Sequence, residues 1–213
     1  MARTRSENYD DIQRGILNTA CALFAQQGYM RASIADLADA CRISRGALYH
    51  YFDSKEAILF AILDAHVRQM IADVDAAMAA QSDTLARFRA AIRAIVELNA
   101  RSTNEQRLIL NDLSFLSEAE QTAIKALERR LVETVSDLLL RLDTEGKIVK
   151  RSKRVYTMML FGILNFSHTW YDPKGDIAPH EFADMVVDLF LYGFAAPPLG
   201  QLSGAKRRQH ASS

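Results

Sequence analysis

Proline is missing from the first 172 residues of this 213-residue chain; Pro173, Pro179, Pro197 and Pro198 all fall near its end. The proline ring removes a backbone donor and clashes with the preceding helical turn. Without it, most of the chain is free to be helical. The nine glycines are scattered singly and alternating β-branched runs are absent, so nothing indicates a sheet. There are two cysteines, Cys21 and Cys41, both on apolar helix faces. They read as structural thiols rather than a disulfide, which makes the cytoplasm the expected compartment. No apolar run is long enough to span a membrane, and Met1 to Ser6 lacks the apolar core of a secretion signal. Neither sign of charge dominates, with 26 basic and 26 acidic side chains. That excludes nucleic-acid binding by bulk charge and leaves a local basic surface: Arg3, Arg5, Arg31, Arg42, Arg45 and Lys55.

Signatures of catalysis are missing too. The chain has no Gly-rich phosphate loop, no metal-spaced His/Cys cluster and no Ser nucleophile elbow. His50, His66, His168, His180 and His210 share no ligand spacing, and Glu118, Glu120, Glu128 and Glu133 read as solvated helix faces. No enzyme activity, cofactor or metal is expected.

What is present is an apolar content of 49%, enough for a sizeable core, arranged at helical spacings. The organising stretch is Ser33 to Lys55. It reads as two short helices joined by a tight turn, with Ser33 and Ser44 as N-caps. Ile34, Leu37, Ala38 and Cys41 form the inward side of the first. Leu48 and Phe52, four apart, share the buried face of the second. Arg45, Gly46, Ala47, Tyr49 and His50 are left outside, a small, aromatic and basic surface of the kind a helix-turn-helix inserts into the major groove.

The run Ser44-Arg45-Gly46-Ala47-Leu48-Tyr49-His50-Tyr51-Phe52, followed by Ser54-Lys55-Glu56, resembles the DNA-binding signature of the TetR family of one-component bacterial regulators. The match runs from Ile12 to about Phe60. The resemblance implies an all-α fold of about nine helices. It places a three-helix helix-turn-helix DNA-binding domain over 1–56 and an effector-binding and dimerisation domain over 57–196. It also implies that Tyr49, Tyr51 and Lys55 touch phosphates while Arg45, Gly46, Ala47 and His50 lie nearest base edges; Ser33 and Ser44 belong to the same surface. For Tyr51 a packing role is the alternative to that contact. The family has Gly at the turn where this chain has Arg42, which is expected to carry a strained backbone and to reach a phosphate.

The rest follows in order. Residues 1–8 are expected to fray, with Arg3 and Arg5 as an arm. A helix spans Tyr9 to Gln27 and ends at Gly28. A long helix from Lys55 to about Ala80 bridges the domains. Helices are then expected over Thr84–Arg101, Asn104–Leu116, Ser117–Thr144, Lys150–Tyr171 and Pro179–Phe194, with a disordered tail over 197–213. The Lys150–Tyr171 helix is apolar nearly all round and should be central and buried. The last two helices should supply a homodimer surface, giving two recognition helices for a double-stranded operator.

The middle helices are expected to enclose a small-molecule pocket. Its candidate lining is His66, Phe88, Phe115, Met158, Met159, Phe161, Asn165, Phe166 and Trp170, each of which plain core packing also explains. Asn165 to Gly175 resembles a stretch of family members that sense acyl-CoA thioesters; Lys150, Arg151, Lys153 and Arg154 would then meet phosphates. The implied function is a ligand-responsive repressor with no membrane partner. A helical scaffold without operator binding is opposed only by the motif.

Overall fold

The computed structural model describes residues 2–144, 146 and 152–193. Among them are nine α-helices and no strand: α1 (Ala2–Gln27), α2 (Ile34–Ala40), α3 (Arg45–Tyr51), α4 (Lys55–Ala79), α5 (Thr84–Arg101), α6 (Thr103–Asn111), α7 (Glu118–Leu142), α8 (Lys153–Phe166) and α9 (Pro179–Tyr192). Short 3₁₀ turns follow α6 (Leu113–Phe115) and α8 (Ser167–Thr169). The all-α expectation holds.

Local chemistry sets the boundaries. Ser33 and Asp36 form a reciprocal capping box on α2, and Ser117 and Glu120 repeat it on α7. The hydroxyls of Ser44, Ser54 and Ser152 and the Asp83 carboxylate accept the orphan amides of α3, α4, α8 and α5. Gly28, at φ +89, ends α1.

Several expected boundaries move. The α1 backbone is helical from Ala2, not frayed to residue 8; the side chains of Arg3 and Arg5 lie outside the described residues. The helix expected over Asn104–Leu116 stops at Asn111 and tightens into the 3₁₀ turn; the one expected to reach Tyr171 stops at Phe166. Lys150, Arg151, Phe194 and the tail from 197 lie outside the described residues.

One continuous apolar core runs through the molecule. In the N-terminal part, Ile16, Ala20, Phe24, Leu37, Leu48 and Phe52 pack together, while Ile12 stays exposed. Helix α4 carries the core onward through Ile58, Leu59, Ile62, Leu63, Val67 and Val74 and packs on α1, α5, α6 and α7. Helix α5 is sandwiched between α4, α7 and α9. Its outer edge binds α9 through Arg89–Asp188 at 2.5 Å and a bidentate Arg93–Asp184 pair at 2.9 and 2.5 Å.

Helix α8 overturns the expectation of central burial. Thr157, Leu160, Phe161 and Leu164 face inward, but Val155, Met158, Met159 and Phe166 are each more than half exposed. An apolar helix with one bare face is consistent with its periodicity as much as a fully buried one is. Sequence alone does not say whether the cover comes from the same chain.

Candidate DNA-binding and effector sites

The recognition surface is built from α2, the turn and α3. Backbone amides of Arg42 and Ile43 donate to Asp39 and Ala38 carbonyls, both at 3.0 Å. That is a Schellman closure, which needs a left-handed residue after the cap. Arg42 supplies it at φ +58, the only positive φ outside glycine among the described residues. The strain expected of this position is therefore present, roughly 1 kcal/mol, and the guanidinium is exposed.

On α3, Leu48 is fully buried and anchors the helix, while Arg45, Gly46, Tyr49 and His50 are exposed and Ala47 is half-buried. A Cβ on Gly46 would meet only the Ser44 hydroxyl at 3.9 Å, so the leading end of the helix is sterically open. Tyr49 makes no ring contact with another described residue and is 51% exposed. His50 and Tyr51 both pack on Tyr9 of α1: the Tyr9 and Tyr51 rings lie 4.6 Å apart, and His50 sits edge-on to each. Tyr51 thus has the packing role that its sequence left open. Tyr9, which the sequence reading passed over, buttresses the recognition helix.

Lys55 differs from its expected place on a phosphate. Its ammonium donates to the carbonyls of Tyr29 and Ala32, both at 3.0 Å, and lies 4.3 Å from the Tyr29 ring centroid. Two of its three donors are thereby held inward by the loop after α1. Ser33 and Ser44 are committed to capping α2 and α3.

Tyr29 is a junction. It is 2% exposed, donates its hydroxyl to Glu56 at 3.1 Å and stacks on Phe115 with centroids 5.1 Å apart. Burial and the neighbouring Glu56 push its phenol well above the usual range. Phe115, expected in the pocket, therefore joins the α6–α7 turn to the first domain instead.

A cavity of about 190 Å³, open to the outside past Leu110 and Met158, lies between α4, α5, α6, α7 and α8. It brings together His66, Met158, Phe161 and Asn165 from the expected lining. Phe88 is wholly buried in the core, and Met159, Phe166 and Trp170 are exposed on the outer surface. Arg154 is exposed near the start of α8 and is not part of the lining. The cavity wall adds Gln106 and Glu128, which the sequence reading missed. Their signal was there: Glu128 stands four residues after buried Ile124 and three before buried Leu131, on the inward stripe. Gln106 stands three before buried Ile109. Nε2 of His66 is 3.5 Å from the Gln106 amide oxygen, and both residues are buried. Burial lowers the His66 imidazole below its ordinary value, against a smaller upward pull from Gln106. Burial raises the Glu128 carboxyl, opposed by Lys125.

A larger concavity, about 610 Å³, is an open groove along α8 and α9 lined by Ile163, Trp170, Phe182, Met185, Leu189 and Tyr192 among others. It is a surface groove rather than a chamber. Around it, Tyr171 stacks on Phe182 at 4.4 Å and Trp170 meets the same ring edge-on at 5.6 Å. Among the described residues no helix is long and apolar enough to cross a membrane, and no His, Cys, Asp or Glu group is arranged to hold a metal.

A capped, outward-facing α3 on a three-helix base, joined by one long helix to a bundle with an interior cavity, defines a helix-turn-helix regulator. Comparison with known proteins makes this specific. A model described as bacterial regulatory proteins, tetR family, matches residues 16–62, and one for the tetracyclin repressor-like C-terminal domain matches residues 81–194. The chain belongs to the TetR family of bacterial transcriptional regulators, which are not enzymes. A TetR-family transcriptional regulator from Bordetella parapertussis 12822 superposes with a TM-score of 0.81 at 36% identity, covering 86% of this chain and 95% of that one. The structure of AibR in complex with isovaleryl coenzyme A and operator DNA superposes at 0.75 with 26% identity, covering 84% and 98%. The transcriptional repressor KstR2 of Rhodococcus jostii is 27% identical over 192 residues, 85% of this chain and 90% of that protein. The transcriptional activator FasR of Mycolicibacterium smegmatis is 29% identical over 133 residues; this chain spans 60% of its length.

Proposed function

We propose that this regulator is a cytoplasmic, homodimeric repressor that holds a double-stranded operator and releases it when a small, largely apolar effector enters the interior cavity. The observation that carries the reading is the exposed surface of α3, with Arg45, Gly46, Tyr49 and His50 beside an exposed Arg42; on DNA, Arg45, Gly46 and His50 would lie nearest base edges and Tyr49 and Arg42 nearest phosphates. Residues 1–56 act as the DNA-binding unit and 57–196 as the effector and dimerisation unit. Repression rather than activation is favoured by the likeness to KstR2, which matches over more of this chain than FasR does.

One α3 reads few base pairs, so two must act together about 34 Å apart. The second copy would cover the stripe Val155, Met159, Gly162 and Phe166 on α8 and Met185, Leu189 and Tyr192 on α9. All of these are exposed and follow helical spacing. Among the described residues, nothing beyond its own stretch of helix backbone lies within 4 Å of a Cβ placed on Gly162, so a partner backbone has room to approach there.

Effector entry would act through α6. Gln106, Ile109 and Leu110 line the cavity, and Phe115, just beyond the same helix, stacks on Tyr29. Tyr29 in turn holds Lys55 and Glu56 at the head of α4. A shift of α6 would reach the recognition helix along this chain of contacts, biasing a two-state equilibrium by about 1–3 kcal/mol. An acyl-CoA thioester is the effector favoured by the likeness to AibR, its acyl group inside the cavity and the nucleotide outside near Arg154.

The test is a gel-shift on the protein's own promoter region with Tyr49→Ala. This exposed residue should lose operator binding while its thermal stability stays within about 0.5 kcal/mol of the parent. Unchanged operator affinity would overturn the assignment.

A further inference from the structure

The wall of the interior cavity has an unusual charge pattern. Glu128 is the one acid among its lining residues, and no lysine or arginine lines the space. Glu128 makes no hydrogen bond or ion pair with a described residue. Lys125 of the same helix, whose charge acts on the Glu128 carboxyl, is exposed and bonded to Gln121 at 3.2 Å. The other polar groups are His66 and the amides of Gln106 and Asn165; the remainder is aliphatic, Met158 and Phe161. A carboxylate entering here would be desolvated, would find no cation and would face Glu128 directly. A neutral molecule with an N–H or O–H could donate to the Glu128 carboxyl in place of water.

We infer that the cavity rejects carboxylates and favours ligands or ligand portions without negative charge, best those that bear a hydrogen-bond donor, with Glu128 as the specificity-determining residue. This rests on reading the cavity as the effector site. A cavity of about 150 Å³ accommodates benzene, so the space suits roughly six to eight heavy atoms, with larger groups hanging outside. A fatty or branched acid would then act only after its carboxylate has been masked, as an amide or thioester. The class of reaction that supplies the effector is accordingly acyl activation or condensation, not hydrolysis.

The test is calorimetry on the DNA-free, full-length protein with four probes of one skeleton: hexanamide, methyl hexanoate, hexanoic acid and hexylamine. Hexanamide should bind at least about tenfold more tightly than the acid, with the ester between them. Glu128→Gln, checked for an unchanged melting curve, should shrink the amide–acid gap at least about threefold. Acid binding equal to or tighter than the amide or the amine, an unchanged gap in Glu128→Gln, or no binding of either neutral probe would each overturn the inference. Operator gel-shifts are read separately. Loss of operator recognition with the amide–acid order intact would sink the repressor reading and leave the cavity's selectivity standing.

Discussion

Replacing Arg42 by Gly separates two consequences of one residue. The backbone there sits at φ +58 and closes α2 through the Arg42 and Ile43 amides. A left-handed non-glycine residue costs about 1–2 kcal/mol. Glycine removes that strain but makes the unfolded chain freer by about 0.4–1 kcal/mol. The net expectation is a gain of about 0.5–1 kcal/mol, which for a chain of this size raises the melting temperature by roughly 1–4 °C. Arg42→Ala is the control, since it keeps the strain and loses only the charge. DNA binding should move the other way. If each guanidinium neutralises one phosphate, either variant should lower the slope of log affinity against log salt by about 0.9 per subunit. Thermal melts and operator anisotropy at several salt concentrations read both effects. Arg42→Gly no more stable than Arg42→Ala would refute the strain argument, and an unchanged salt slope in both would refute the phosphate contact.

Phe115→Ala removes a ring stack, costing about 1 kcal/mol. Operator and effector affinities should each survive while effector-driven release, read by anisotropy, shrinks; undiminished release would exclude the Phe115–Tyr29 route. His66 gives a pH dependence. The unfolded chain takes up the proton near 6.5, but burial holds the folded imidazole below that value. Stability should therefore fall as pH drops from 6.5 toward the lowered folded value. Melts from pH 7.5 to 5 should show a shallower fall in His66→Gln, and identical profiles would contradict the assignment. Met159→Glu puts a charge on the bare face of α8. Sedimentation should show a shift toward monomer and gel-shifts a weaker operator complex, with helicity retained; an undisturbed dimer would place the subunit contact elsewhere.

The DNA-facing part was the most legible in sequence because its rules are local. Serine caps, a four-residue apolar spacing and a left-behind basic surface fix α2 and α3 within a few residues. The bundle was less legible because periodicity reports that a face is apolar, not what covers it. Phe88 and Phe166 carry the same signal in sequence, yet one is sealed in the core and the other lies 64% exposed. Phe115 read as lining because it is aromatic, but its position after a helix end turned it toward Tyr29. Lys55 read as a phosphate ligand because the loop carbonyls that capture it come from a segment more than twenty residues away. Glu128 was dismissed for its residue type although its position on the stripe pointed inward.

The 25 residues of α4 include neither glycine nor proline, so this rod has no built-in joint. His66 is eleven positions from Lys55, or about 16 Å along the axis. A tilt of about 5° pivoting at the cavity wall would swing the far end by about 1.4 Å over that length. On the proposed mechanism, two such arms diverging about a dyad would double the mismatch, so a small tilt beside the ligand would become a displacement that a rigid duplex can feel.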